Sequence, residues 1–322
     1  MKFRFPILIV FIALMAPLAY AEKGAPADKW NGDRAMNDIG IQLSFGRRAL
    51  DTLGHEKTVQ YIEGQLANTK LASVKGQQWI DTGDTSEGQN LLSTGSNQPH
   101  HALVNIVARF FPDNPRRIII GTHYDSIGRA YADKKHPDAP MPGANNSASG
   151  VALLLETARV LSKASPPSVG VDLVFFDGEE GPKSLGAGDR NWRALGSPWF
   201  AQHLSDFYPD AKPESAVLFD MVCYKNMELK PELSSLASAK DEVEKFWKIG
   251  GAIGPAVFKE EPYPYAIEDD HNALAAAGIP SFLVIGFKYD PWFNTTEDTI
   301  DKCSQANLEA VGRTLLRYIY AL

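Results

Sequence analysis

Cysteine is scarce in this chain. There are two among 322 residues, Cys223 and Cys303, and neither has the spacing of a metal-binding thiol pair. Basic runs interleaved with aromatics are also absent, and the formal charge is −7. An acidic surface without such a run argues against nucleic acid and anionic membrane as partners. The apolar run Ile7 to Leu14 is too short to span a bilayer comfortably, and Pro6 and Pro17 flank it. No internal repeat and no flexible linker divides the chain, so a single globular domain is expected.

What is present is an ordinary globular composition, 44% hydrophobic and 22% charged, enough for a large core. Lys2 and Arg4, the short apolar run and Ala19-Tyr20-Ala21 form a secretory signal with cleavage expected after Ala21. Removing it takes the charge from −7 to −9. The mature chain is then secreted or periplasmic, with no membrane contact after cleavage. In that oxidising setting the two cysteines leave both a disulfide and two buried thiols open.

The expected organisation is a signal peptide over 1–21, a polar, extended lead-in from Glu22 that gives way by residue 44, and one domain over 45–322. Val59, Ile62 and Leu66 predict a helix over His55 to Leu66. The stretch Asp81 to His101 reads as irregular. Val104 to Phe111 and Arg117 to Gly121 are strand-like and joined by the turn signal Pro112-Asp113-Asn114-Pro115, which predicts an antiparallel hairpin at one side of the sheet. An apolar stripe from Val151 to Leu161 predicts a helix. Strands follow at Val169 to Phe176, Ser215 to Met221 and Ser281 to Phe287, then a closing helix through Leu308 to Ile319. Alternating strands and helices predict an α/β fold with a largely parallel sheet between helices.

Three of these strands end in metal-ligand chemistry. Leu173-Val-Phe-Phe-Asp-Gly-Glu179-Glu180 delivers two adjacent carboxylates, Ile118-Ile-Ile-Gly-Thr-His123-Tyr-Asp125 a His-x-Asp pair, and Ala216-Val-Leu-Phe-Asp220 one acid. Ligands sit at the carboxyl ends of strands in such sheets. Neighbouring side chains after a strand point apart, so a division of labour follows: Glu180 binds a metal and Glu179 acts as general base on its bound water. Asp125 would hold the second ring nitrogen of His123. Asp269-Asp270-His271 precedes a short helix over Asn272 to Ala277 and suits N-capping.

From about Phe45 onward the chain resembles the secreted zinc exopeptidases that include bacterial aminopeptidases and glutaminyl cyclases. The motifs are Gly-Thr-His123-Tyr-Asp-Ser, Pro-Gly-Ala-Asn-Asn146-Ser-Ala-Ser-Gly, Phe-Phe-Asp-Gly-Glu179-Glu180, Leu-Phe-Asp220-Met, Ile-Glu-Asp-Asp270-His-Asn-Ala-Leu, Ala-Gly-Ile-Pro280 and Asn294-Thr-Thr-Glu-Asp-Thr. The Glu-Asp-Asp-His form and the tail Asp298-Thr-Ile-Asp-Lys-Cys303 look closest to the cyclase-like bacterial branch. The resemblance implies a mixed sheet of about eight strands between helices and one or two zinc ions. It implies Glu179 as general acid/base, Glu180 as a zinc ligand, and His123 with Asp220 at a second zinc. In single-zinc members the match to Asp220 instead holds the substrate and shuttles its proton together with Asp270.

Two ligand positions depart from that pattern. Asn146 stands where the family has a metal-binding Asp, and Asn294 where it has a metal-binding His; Phe293 replaces a pocket Trp of the cyclases. A neutral amide is a poor zinc ligand, and a catalytic zinc normally has three protein ligands. His271 matches a histidine the family already has, and His136 lies in the proline-rich loop after His123. The amides also create Asn-x-Ser/Thr patterns at Asn145 and Asn294. The reading that follows is an enzyme acting on peptide or protein N-termini, cleaving the first residue or cyclising N-terminal glutamine. The alternatives are a catalytically impaired, metal-poor peptide-binding module, and metal-independent acid/base chemistry by Glu179, Asp220 and Asp270.

Overall fold

Three of the strands have predominantly apolar centres, as strands covered on both faces do. In the computed structural model, which describes residues 26–69, 72–81, 101–181 and 193–322, these are β3 (Arg117–His123), β4 (Gly170–Phe176) and β5 (Ser215–Asp220), buried at every position. With β1 (Ala72–Asp81), β2 (His101–Phe110) and β6 (Ser281–Ile285) they form one six-stranded sheet in the order β1-β2-β4-β3-β5-β6. Strands β4, β3, β5 and β6 run parallel to one another. Strand β2 is antiparallel to both β1 and β4. The expected mixed, largely parallel sheet between helices is therefore present, with six strands among the described residues. The signal segment and most of the Asp81 to His101 stretch lie outside those residues.

The predicted hairpin of β2 with β3 does not form, because β4 lies between them. Charge favours this order. Arg109 on β2 and Arg117 on β3 would be like-charged neighbours in a hairpin. Asp172 on β4 instead sits between them, accepting from Arg109 at 2.9 and 3.2 Å and from Arg117 at 2.8 and 2.7 Å. The true antiparallel partner of β2 is β1, a strand the sequence pattern does not announce.

The helices are α1 (Gly32–Ser44), α2 (Leu53–Ala67), α3 (Ala148–Leu161), α4 (Gly196–Gln202), α5 (Leu233–Ile253), α6 (Asp270–Ala276) and α7 (Gln305–Ile319). Helix α1 corrects the extended lead-in. Its polar residues are buried partners: Asp38 is ion-paired to Arg159 of α3, and Gln42 donates to the Ala148 carbonyl at 3.1 Å. Asn31 caps it by accepting from the Arg34 amide at 2.9 Å. Helices α2, α3 and α7 fall where their apolar stripes place them, α6 begins two residues before its predicted start, and α4 and α5 were not anticipated. No helix among the described residues is long and apolar enough to cross a membrane.

Candidate active site

Parallel strands place their carboxyl ends along one edge, and that edge collects the acids. His123 closes β3, Asp220 closes β5, and the turn after β4 carries Glu179 and Glu180. That turn needs a left-handed residue, supplied by Gly178 at φ 64°. His123 Nε2 lies 3.2 Å from Asp220 Oδ1. Its Nδ1 lies 3.1 Å from the Asp125 backbone carbonyl and 4.0 Å from Glu179 Oε2.

The role of Asp125 differs from the expected one. Its carbonyl is the closer acceptor for His123, while its carboxylate is 3.5 Å away. Both carboxylate oxygens instead accept the backbone amides of Glu179 and Glu180, at 3.0 and 3.1 Å. Asp125 thus clamps the acidic turn to β3. Beneath the turn, Asp177 accepts from the Val104 amide at 2.8 Å and pairs with the buried His55 ring at 2.7 Å.

Asp270 is buried at the first turn of α6, where Ser197 of α4 donates to its Oδ1 and its Oδ2 has no partner. Asp269 caps α6 as the sequence suggests. Its charge is also felt by Glu179, ahead of Glu180 and Asp270, and it in turn responds to Asp220 and His123. The charge of Asp269 therefore acts on the cluster, an effect hidden in the sequence by its capping pattern.

Electrostatics follow from this crowding. Burial raises Glu179 well above the usual carboxylate range, with His123 opposing and Asp269, Glu180 and Asp270 adding to the rise. Burial likewise pushes Glu180 to about 8, Asp269 to about 7 and Asp270 to about 8. Burial alone would lower His123, but hydrogen bonds to Asp125 and Asp220 and the charge of Glu179 outweigh it and hold the ring well above the ordinary histidine value. Among the described residues, none of Glu179, Glu180, Asp220, Asp269 and Asp270 is ion-paired to lysine or arginine; the only cationic partner is His123.

These shifts have one sign. A carboxyl raised in the folded state binds its proton more tightly than in the unfolded chain, so stability falls as pH rises from the unfolded value through the folded one. The stability His123 adds is present below its unfolded value and is lost as pH rises through the folded one. The thermal midpoint of the protein is therefore expected to fall as pH rises from about 5 to about 8.5. Scanning calorimetry across that range checks it; a midpoint that climbs would contradict the cluster described here.

Asn146 and Asn294 do reach the site. Asn146 Nδ2 donates to Glu180 Oε1 at 2.8 Å and to Asn294 Oδ1 at 3.1 Å. Asn294 Nδ2 donates to the Tyr131 hydroxyl at 3.1 Å. Asn146 Oδ1 is buried without a partner. The turn carrying Asn146 is held by two groups that sequence reasoning missed. Asp298, buried, accepts the amides of Asn145 and Asn146 at 2.9 and 3.1 Å and the Tyr289 hydroxyl at 2.6 Å. Arg48, also buried, donates to the carbonyls of Pro142 and Gly143 at 2.7 and 2.9 Å. Asp298 lies inside a recognised motif; nothing around Arg48 signals its role.

Phe293 is half-buried beside Asn294 and heads a strip of rings. Phe287 is 6.3 Å from it, Tyr265 6.1 Å from Phe287, and Tyr263 stacks on Tyr265 at 5.5 Å. His271 turns away, its Nε2 3.2 Å from Glu232. His136 is exposed in its loop. Asn145 and Asn294 are 0% and 3% exposed, so neither glycosylation pattern is accessible in the folded chain.

The donor set fits a zinc ion poorly. The amide hydrogens of Asn146 point at Glu180 and Asn294, where a cation would need lone pairs. No group of three or more His, Cys, Asp or Glu side chains suited to a metal ion occurs among the described residues.

A mixed, mostly parallel sheet with a buried acidic cluster at the carboxyl ends defines an exopeptidase-like α/β fold. Peptidase family M28 matches residues 105–319, and the chain belongs to that family. It is 34% identical over 181 residues to the uncharacterized protein YfbL of Escherichia coli K12, covering 56% of this chain and 51% of YfbL. It is 23% identical over 265 residues to the aminopeptidase YwaD of Bacillus subtilis, covering 80% of this chain and 52% of YwaD. The chain thus spans about half the length of these two curated relatives. Among solved structures, the Tannerella forsythia glutaminyl cyclase superposes with a TM-score of 0.79 at 29% identity, covering 91% of this chain and 99% of that one. A Zn-dependent exopeptidase of Parabacteroides distasonis gives 0.80 at 28%, with the same coverage.

Proposed function

We propose that this cleft receives the amino-terminal residue of a peptide, its α-ammonium lying among Glu179, Asp220 and Asp269, in a protein exported by residues 1–21. One observation carries the reading. Four buried carboxylates and the partly buried Glu179 share a single histidine as cationic partner among the described residues, and two buried acceptors, Asn146 Oδ1 and Asp270 Oδ2, have no donor. A compact ammonium supplies both the positive charge and the N–H groups, and would draw the raised carboxyls into their ionised form. The cyclase and aminopeptidase names of the relatives concur with a ligand of this kind. Phe293 would lie against the side chain of the bound residue.

The test is binding of peptides labelled at the carboxyl end, in the presence of a chelator. A free amino terminus should bind at least about tenfold tighter than its N-acetylated twin, since acetylation removes a charge-assisted contact to a buried acid. Equal affinity for the two would sink the reading.

A second reading, reaction at the bound residue, is favoured by the retained Glu179. Its raised carboxyl is suited to give and take a proton. Cyclisation joins the α-nitrogen to the side-chain carbonyl carbon and releases ammonia; cleavage consumes water and releases an amino acid. Product formation abolished by Glu179→Gln supports it, and activity of the pure protein unchanged by that substitution removes it.

A further inference from the structure

We propose that Glu180, Asn146, Asn294 and Tyr131 form a hydrogen-bonded chain that ties the site together in place of a transition metal, so that the fold and its cleft stand without one. The four residues come from three connections: the turn after β4, the loop after β6, and the long connection from β3 to α3, which holds both Tyr131 and Asn146. A metal ion would join such segments through lone pairs. Here the joining is by N–H donors, Asn146 Nδ2 to Glu180 at 2.8 Å and to Asn294 at 3.1 Å, then Asn294 Nδ2 to Tyr131 at 3.1 Å.

With Glu180 ionised, the direction of the chain is determined by chemistry. Both hydrogens of Asn146 Nδ2 are used, and each meets an oxygen. Turning the amide over would set Oδ1 against the Glu180 carboxylate and against Asn294 Oδ1, acceptor facing acceptor. Turning Asn294 over would face its NH₂ with that of Asn146. A cation that takes both Glu180 Oε1 and Asn294 Oδ1 must break both Asn146 bonds in a site where Asn146, Glu180 and Asn294 are 3%, 7% and 3% exposed, and beside the Glu180 carboxylate it gains only neutral amide oxygens from these three residues. Such oxygens suit hard ions weakly and zinc less. The two substitutions are thus coupled: Asn146 is donor to the oxygen that Asn294 presents. An aspartate at 146 in this setting would place two carboxylates in contact with no cation between them.

The experiment uses the mature full chain and two readouts that do not involve activity. Purified protein is incubated with excess zinc, and separately with calcium, then desalted and analysed for metal. Its thermal midpoint is measured with and without chelator. Well under one retained equivalent of either ion, and a midpoint indifferent to chelator, are expected. The double substitution Asn146→Asp with Asn294→His should then retain about one equivalent of zinc and acquire a zinc-dependent midpoint, as a ligand of the native state must produce. Should that variant fail to fold, Tyr131→Phe serves: loss of the terminal acceptor should lower the midpoint equally with and without chelator. Stoichiometric zinc or calcium in the unsubstituted protein, released by His123→Ala, would overturn the inference. So would a wild-type midpoint that chelator lowers.

Discussion

Replacing Asp172 with alanine is expected to cost about 3–5 kcal/mol of stability, the scale for removing one partner of a buried ion group. Asp172 is fully buried on β4 and accepts from Arg109, Arg117 and, at 2.8 Å, the Tyr208 hydroxyl. Arg117 is itself buried and also donates to the Phe110 and Phe111 carbonyls at 3.0 and 3.1 Å. Without Asp172 its charge stays inside and unpaired. Asp172→Asn keeps the shape and some hydrogen bonds and should cost less. Urea unfolding of the two variants beside the wild type decides the matter. A loss under about 1 kcal/mol for the alanine variant, typical of exposed pairs, would mean that the network is not what separates β2 from β3.

The second large effect is expected from the Cys223–Cys303 disulfide, which closes a separation of 80 residues. Chain-entropy estimates for a loop of this size give about 4 kcal/mol, acting mostly through the unfolded state. The native segments are also joined by backbone, Ser304 N to the Cys223 carbonyl at 2.6 Å and Lys225 N to the Lys302 carbonyl at 2.9 Å. The bond links the segment following Asp220 to the one following Asn294 and Asp298. The pair Cys223→Ser with Cys303→Ser should therefore fold with unchanged peptide affinity but unfold at lower denaturant. Alkylation of both thiols in the unreduced native protein, or an unchanged unfolding midpoint, would contradict this.

The parts of the fold that were legible in sequence share a property: each has a period that burial imposes locally. Strands β3, β4 and β5 have mostly apolar centres, and α3 and α7 carry apolar stripes, because the partner surface is largely apolar whichever element supplies it. Helix α1 was misread for the converse reason. Its inward face includes Asp38 and Gln42, polar residues made tolerable by Arg159 and the Ala148 carbonyl, more than 100 residues away. Within the site, His123, Glu179, Glu180 and Asp220 were visible as strand-end acids and imidazole. Arg48 was not, since a lone arginine in a polar stretch looks solvated until the carbonyls it serves are in place.

By itself the sequence determined the apolar strands β3, β4 and β5, the striped helices α3 and α7, the family resemblance, and His123, Glu179, Glu180 and Asp220 at the carboxyl ends of the strands. Those follow from residue identity and short-range periodicity, which the chain carries locally. Tertiary structure alone decided that β4 separates β2 from β3, that the carboxylate of Asp125 clamps the acidic turn while its carbonyl meets His123, that the charge of Asp269 acts on Glu179, and that Asn146 turns its N–H groups toward Glu180 and Asn294. Each of these is a hydrogen bond or charge balance between segments distant in the chain. Its direction depends on which donor meets which acceptor, and that is defined only once the segments are packed together.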